Sequence, residues 1–178
     1  VRPGTGQAGR WFPRPGPRQA GVRQRRVGQL KSALYAGMII TYAPGMALLA
    51  VALVRHEYQL DIEAVARIWR GGCIIRAALL ENIRTAFLAR RDLPNLLLDP
   101  ALAQALIAHQ ENLRKITCAA SELGIPTPGL MASLAYLDAY RSAWLPANLI
   151  QAQRDYFGAH TYERTDAKGT FPSEWGKE

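Results

Sequence analysis

Three observations predict an all-α fold. Apolar residues recur at helical spacing over most of the chain beyond residue 29. No stretch alternates apolar and polar residues well enough for a sheet. Helix punctuation falls between the periodic segments, at Asp61, at Asp99-Pro100, at Gly124 with Pro126, and at Thr127-Pro128. With 178 residues the chain can build one domain with a real core and is marginal for two.

The first candidate helix holds the strongest apolar signal. Leu34 to Val54 contains no charged residue, which makes it a transmembrane candidate with arginines preceding it. A central helix buried in an all-helical domain is apolar in the same way. Tyr35, Gly37, Thr41 and Tyr42 dilute the run, and Pro44-Gly45 is expected to kink or break it. Next, Asp61 can cap a helix carrying Ile62, Val65, Ala66, Ile68 and Trp69, interrupted at Gly71-Gly72. Ile75, Leu79, Ile83 and Phe87 then recur every four residues on a helix ending near Arg90-Arg91. Asp99-Pro100 opens another, with Leu102, Leu106, Leu113, Ile116 and Leu123 inward and a stop at Gly124. Thr127 is expected to cap the following helix with Pro128 in its first turn. Leu130, Leu134, Leu137, Tyr140 or Arg141, and Trp144 mark its stripe.

Charge narrows the function classes. The net charge is +8, but residues 1–28 hold seven arginines and no acid. The remainder carries 15 basic against 14 acidic residues, so it offers no general surface for nucleic acid. Residues 1–28 also hold six glycines and four prolines, and such a segment cannot offset its ordering entropy, so disorder is expected. Gly4-Thr5-Gly6-Gln7-Ala8-Gly9 spells a dinucleotide-binding string. Pro13, Pro15 and Pro17 stand where its helix would run, which excludes that geometry.

Few residues suggest chemistry. Cys73 and Cys118 sit in apolar helical patterns and are expected to be reduced core thiols of a cytoplasmic protein. His56, His109 and His160 lack metal-ligand spacing, and the first two are expected to be packing or surface residues. Ser121-Glu122 and Asp138 to Arg141 look like helix surface with intrahelical pairing. The informative segment runs from Leu145 to Glu163. Arg154 and His160 are six positions apart and would diverge on one continuous helix. Gly158 between them can turn the chain in a left-handed conformation and bring them together. A guanidinium with an imidazole then makes a receptor for a small phosphate or carboxylate. A structural turn with exposed polar residues is the plainer reading, and the residues alone leave both open.

The run from Leu145 to Tyr162 resembles the C-terminal motif of the 6-phosphogluconate dehydrogenases. Ile68-Trp69-Arg70-Gly71-Gly72-Cys73-Ile74-Ile75-Arg76 resembles a second block of that family. Ala33-Leu34-Tyr35-Ala36 with Ile39-Ile40 and Tyr42-Ala43 resembles a third, and Asn95 to Leu98 a fourth. Gly124 to Pro128 falls at a similar turn, so the likeness spans roughly residues 29–176 in order. It implies the family's helical C-terminal domain over 29–160 and an extended tail over 161–178, and it favours burial of the first helix over a membrane. The family oxidises and decarboxylates 6-phosphogluconate to ribulose 5-phosphate while reducing NADP, as a homodimer with exchanged tails. The resemblance gives Arg154 and His160 the task of holding the substrate phosphate across the dimer interface. It makes Phe171 and Trp175 apolar anchors of a tail that enters the partner.

The departures are equally specific. The family's Rossmann domain, its catalytic lysine base and its glutamate acid lie upstream of the region matched. No catalytic, cofactor-binding or metal-binding residue is therefore assigned, and the chain is expected to be inactive alone and to self-associate. The start at Val1 suggests a missing beginning. Residues 1–28 do not resemble the family and are expected to come from a shifted reading frame or a truncated gene end. Pro44 replaces a typical glutamine, and a helix-interior proline costs about 3 kcal/mol. A non-catalytic helical interaction module, or a single-span membrane protein, are the alternative functions.

Overall fold

The computed structural model describes residues 21–176. Its elements in order are α1 (Gly21–Arg55), α2 (Ile62–Gly72), α3 (Leu79–Ala89), a 3-10 turn (Leu96–Leu98), α4 (Pro100–Glu122), α5 (Pro128–Arg141) and α6 (Ala147–Gly158). Two short strands follow, β1 (Tyr162–Glu163) and β2 (Thr170–Phe171), paired antiparallel with Tyr162 opposite Phe171. The all-α expectation holds. One compact unit ends at Leu137 and a second begins at Asp138.

In the first unit α1 is the spine, packed chiefly against α4. Ala33, Ala36, Ile39, Ile40, Ala43 and Met46 form its buried stripe. Small residues let the neighbours come close: a Cβ at Gly37 would stand 3.0 Å from a methyl of Leu130. The helix begins at Gly21, so residues 21–28 of the arginine-rich segment are helical. The Gly4 to Gly9 string and the disorder expected of residues 1–20 lie outside the described residues. α1 also runs unbroken through Pro44, against the expected kink or break. Proline removes the N–H that would bind Ile40 O, yet the buried Ala43 and Met46 on either side hold the helical path.

α1 is not buried on all sides, however. Leu34, Leu48, Val51 and Val54 are exposed, Val54 to 82%. By length and composition α1 is the one helix among the described residues that could cross a membrane.

Local capping chemistry sets the other boundaries. Asp61 accepts from Glu63 N at 3.0 Å and starts α2, which extends through Gly71-Gly72 to its end. Ile68 on α2 is exposed, whereas Ile62, Val65 and Ala66 are buried. Leu79, Leu80, Ile83, Ala86 and Phe87 bury the inner face of α3. Glu63 and Glu81 share Arg84, at 3.1 and 2.7 Å, and Arg70 also pairs with Glu81, tying α2 to α3. Asp99 accepts from Leu102 N at 2.9 Å, with Pro100 as the first residue of α4. α4 ends in a Schellman turn: Gly124 has φ +61°, Ile125 N reaches Ala120 O at 2.8 Å, and Gly124 N reaches Ser121 O at 3.1 Å.

Two expectations fail here. Thr127 Oγ1 is buried without a hydrogen-bond partner, so the hydroxyl does not cap α5. Its carbonyl instead receives Met131 N at 3.0 Å. Cys118 is not a core thiol: it lies on the exposed side of α4, and Cys73 is only half-buried. The α4 stripe points Leu113, Thr117 and Ala120 inward, which turns position 118 outward. Asn95, itself buried, accepts from Leu97 N and donates to Tyr136 OH, both at 2.9 Å, which joins the 3-10 turn to α5.

Candidate anion site at the end of α6

The second unit carries both residues singled out as an anion receptor. Arg154 lies in the last turns of α6 and His160 just beyond them; both are exposed. Neither side chain makes a hydrogen bond or ion pair with another described residue, so their N–H groups remain available. The chain does turn between them, but not at Gly158. Gly158 is the last helical residue, and Ala159 takes the left-handed conformation at φ +50°, closed by Ala159 N donating to Asp155 O at 2.8 Å.

Gly158 contributes differently. A Cβ there would stand 3.0 Å from Cδ2 and Nε2 of His160, so the imidazole occupies the space a side chain would fill. Positions 154 and 158 are neighbours on one helix face, with Cβ sites about 5–6 Å apart. The ring therefore lies on the face of α6 that carries Arg154.

A buried carboxylate holds this turn, and sequence reasoning missed it. Asp155 is 2% exposed, although it follows the exposed Arg154. Its Oδ1 accepts from Thr161 N at 2.8 Å. Its Oδ2 accepts from Ser173 N and Trp175 Nε1, each at 2.9 Å. The Ser173 amide leads in holding its carboxyl below the usual carboxylate range, with the Trp175 indole and the Thr161 amide adding to it against burial. Thr161 itself sits at φ +58°, unusual for a β-branched residue. It is held from both sides, because Gln151 Nε2 also donates to its carbonyl at 2.5 Å.

The tail is fastened by the same unit. Trp175 meets the Tyr156 ring edge-on at 5.6 Å, and Ser173 Oγ donates to Tyr162 OH at 3.1 Å. Arg164 grips Asp166 through two hydrogen bonds, at 2.8 and 2.5 Å, and lies over Phe171 at 5.4 Å from its ring centre. That pairing lowers the Asp166 carboxyl to about 2. Phe171 and Trp175, expected as anchors in a partner, thus have partners of their own in this unit. A cleft of about 720 Å³ opens between α6 and the tail, lined by Trp144, Asn148, Gln151, Arg164 and Trp175 among others. Arg154 and His160 do not border it.

The remaining histidines have ring partners: His109 meets Tyr35 edge-on at 5.2 Å, and His56 stacks on Tyr58 at 5.5 Å. Asp138 pairs with Arg141 at 3.0 Å, one helical turn on. Among the described residues no three His, Cys, Asp or Glu side chains gather as a metal site. A dinucleotide cradle needs a strand, a glycine turn and a helix in sequence. The strands described here are two residues each and paired with each other, so the described residues form no such cradle.

Comparison with known proteins identifies the family to which this fold belongs. The family described as "6-phosphogluconate dehydrogenase, C-terminal domain" matches residues 7–175, so the likeness begins well before residue 29 and takes in most of the arginine-rich segment. A decarboxylating 6-phosphogluconate dehydrogenase of Arabidopsis thaliana is 50% identical over 155 residues, covering 87% of this chain and 32% of that protein. One from Synechococcus elongatus is 50% identical over 156 residues, covering 88% of this chain and 33% of its own. The Plasmodium falciparum 6-phosphogluconate dehydrogenase, solved in its apo form and in complex with NADP+ and with 6-phosphogluconate, superposes with a TM-score of 0.85. It is 39% identical, over 95% of this chain and 37% of that one. The chain spans about a third of the length of these relatives. It belongs to the 6-phosphogluconate dehydrogenase family, as that family's helical C-terminal domain.

Proposed function

We propose that this chain supplies the substrate-phosphate receptor and dimer contact of a decarboxylating 6-phosphogluconate dehydrogenase. The whole reaction would convert 6-phosphogluconate to ribulose 5-phosphate with reduction of NADP. The carrying observation is the pair Arg154 and His160, exposed on one side of the end of α6 with no partner for either side chain among the described residues. A planar guanidinium can give two parallel bonds to phosphate oxygens, and a protonated imidazole adds a third. These contacts bind and orient; the proton and hydride steps belong to groups not assigned in this chain.

Two features favour donation of this receptor to a second copy. Both side chains are exposed and stand outside the cleft between α6 and the tail, so in a single copy the phosphate would meet an open surface. Leu34, Leu48, Val51 and Val54 on α1 are exposed apolar side chains, and a homodimer would cover surface of this kind. The end of α6 and the tail fastened to it would then be exchanged between copies as one piece, and the protein would work in the cytoplasm.

Titration of 6-phosphogluconate against the wild-type chain and Arg154→Ala tests the assignment. Loss of one charged partner should weaken binding roughly tenfold or more. Equal binding by both proteins would remove Arg154 from the site. Incubation with 6-phosphogluconate and NADP should give no turnover by this chain alone.

A further inference from the structure

The receptor residues are few, but what holds His160 in place reaches much further along the chain. Among the described residues no hydrogen bond to the His160 side chain fixes its ring. Its backbone is fixed instead from the next residue, because Thr161 N donates to Asp155 Oδ1 at 2.8 Å. That contact holds Thr161 at a positive φ, which a free β-branched residue would leave. The other oxygen of the same carboxylate is held by Ser173 N and by the indole N–H of Trp175. One buried carboxylate therefore joins the turn carrying the imidazole to the tail, 18 and 20 residues further on.

We propose that Asp155 is a positioning residue that makes the seating of the tail through Trp175 a condition for the anion-binding orientation of His160. The phosphate part of this inference rests on the receptor reading above; the mechanical part does not. With Trp175 and Ser173 in place, the carboxylate is fully used and aims Oδ1 at Thr161 N. With the tail displaced, the carboxylate is free to rotate or hydrate, the left-handed turn at Ala159 and Thr161 relaxes, and the ring leaves the space over Gly158. Phosphate affinity then falls although Arg154 and His160 are both intact. The device makes the receptor sense whether the tail is docked.

The test uses the full chain and two variants. Trp175→Phe removes the indole N–H and keeps a smaller aromatic ring against Tyr156. Asp155→Asn turns one accepting oxygen into a donor facing N–H groups. The first readout is the nuclear Overhauser effect between the His160 ring and the Gly158 Hα protons, with helicity by circular dichroism as the control. The second is the affinity for 6-phosphogluconate and for inorganic phosphate.

In both variants the Overhauser contact should disappear with helicity retained, and affinity should drop roughly three- to tenfold, as loss of a single hydrogen bond allows. An unchanged His160–Gly158 contact in Trp175→Phe would overturn the proposal. So would an affinity drop in Trp175→Phe with the ring contact intact. If instead the wild-type chain binds neither ligand while the ring contact still answers to Trp175→Phe, the positioning device stands and the receptor reading fails.

Discussion

Trp175 Nε1 donates to Asp155 Oδ2 at 2.9 Å, bridging the last stretch of the tail to a carboxylate inside α6. Three donors converge on that side chain, and the pH response of the tail follows from them. The folded-state pKa of Asp155 is lowered, so the stability it adds is fully present above the ordinary carboxylate pKa. It is lost as pH falls through the depressed value. The indole N–H resonance of Trp175 should hold its position down through the usual carboxylate range and move only below it. In Asp155→Asn it should already be displaced at neutral pH. The Arg164–Asp166 grip behaves alike, its contribution fading between 3.8 and about 2.

Gly158→Ala separates helix stability from ligand binding. Alanine in place of a helical glycine is worth about 0.5–1 kcal/mol, and Gly158 has no positive φ to oppose it. The new methyl, however, would meet the His160 ring at 3.0 Å and push it aside. Thermal unfolding should shift upward while 6-phosphogluconate affinity falls several-fold. A variant that is more stable and binds equally well would show that the ring position does not matter.

Pro44→Ala should stabilise the first unit. The proline stands inside a continuous α1 and costs up to about 3 kcal/mol against alanine. Urea unfolding should give a higher midpoint at unchanged slope. An unchanged midpoint would mean that packing around Ala43 and Met46 has absorbed the whole cost.

Core and surface leucines should part sharply. Leu80 is fully buried between α3 and its neighbours, and Leu80→Ala should cost about 2–5 kcal/mol. Leu48→Ala, at a position 69% exposed in the single chain, should cost under about 0.5 kcal/mol in a monomer. If Leu48→Ala instead destabilises in proportion to protein concentration, α1 is covered by a second copy.

Thiol reactivity checks the corrected placement of the cysteines. Cys118 should react with an alkylating reagent in the native protein faster than the half-buried Cys73. Equal protection of both would return Cys118 to the core.

Much of the fold is legible in the sequence because it is set locally. Asp61, Asp99 and Gly124 act at the ends of their own helices, within a few residues of the groups they satisfy. The stripes Leu79, Ile83, Phe87 and Leu102, Leu106, Leu113 follow directly from the helical repeat, whereas Ile75, expected on the first of them, is exposed and precedes α3. What depends on distant partners is not legible. Pro44 passes for a break until the buried residues beside it are seen to hold the helix. Cys118 passes for core until the register of α4 is fixed by its neighbours. Asp155 looks like an ordinary surface acid, since its donors come from positions 161, 173 and 175 across a turn and a hairpin. The left-handed turn fell one residue past the glycine, at Ala159, because Gly158 is spent on making room for the imidazole.

The central claim is that Arg154 and His160 clasp one phosphate together. It is tested most directly by titrating 6-phosphogluconate into isotope-labelled chain while following Arg154 Nε and the His160 ring nitrogens. Both sets of resonances should move and saturate with a single dissociation constant. Movement of one without the other, or of neither while resonances elsewhere respond, would contradict the account.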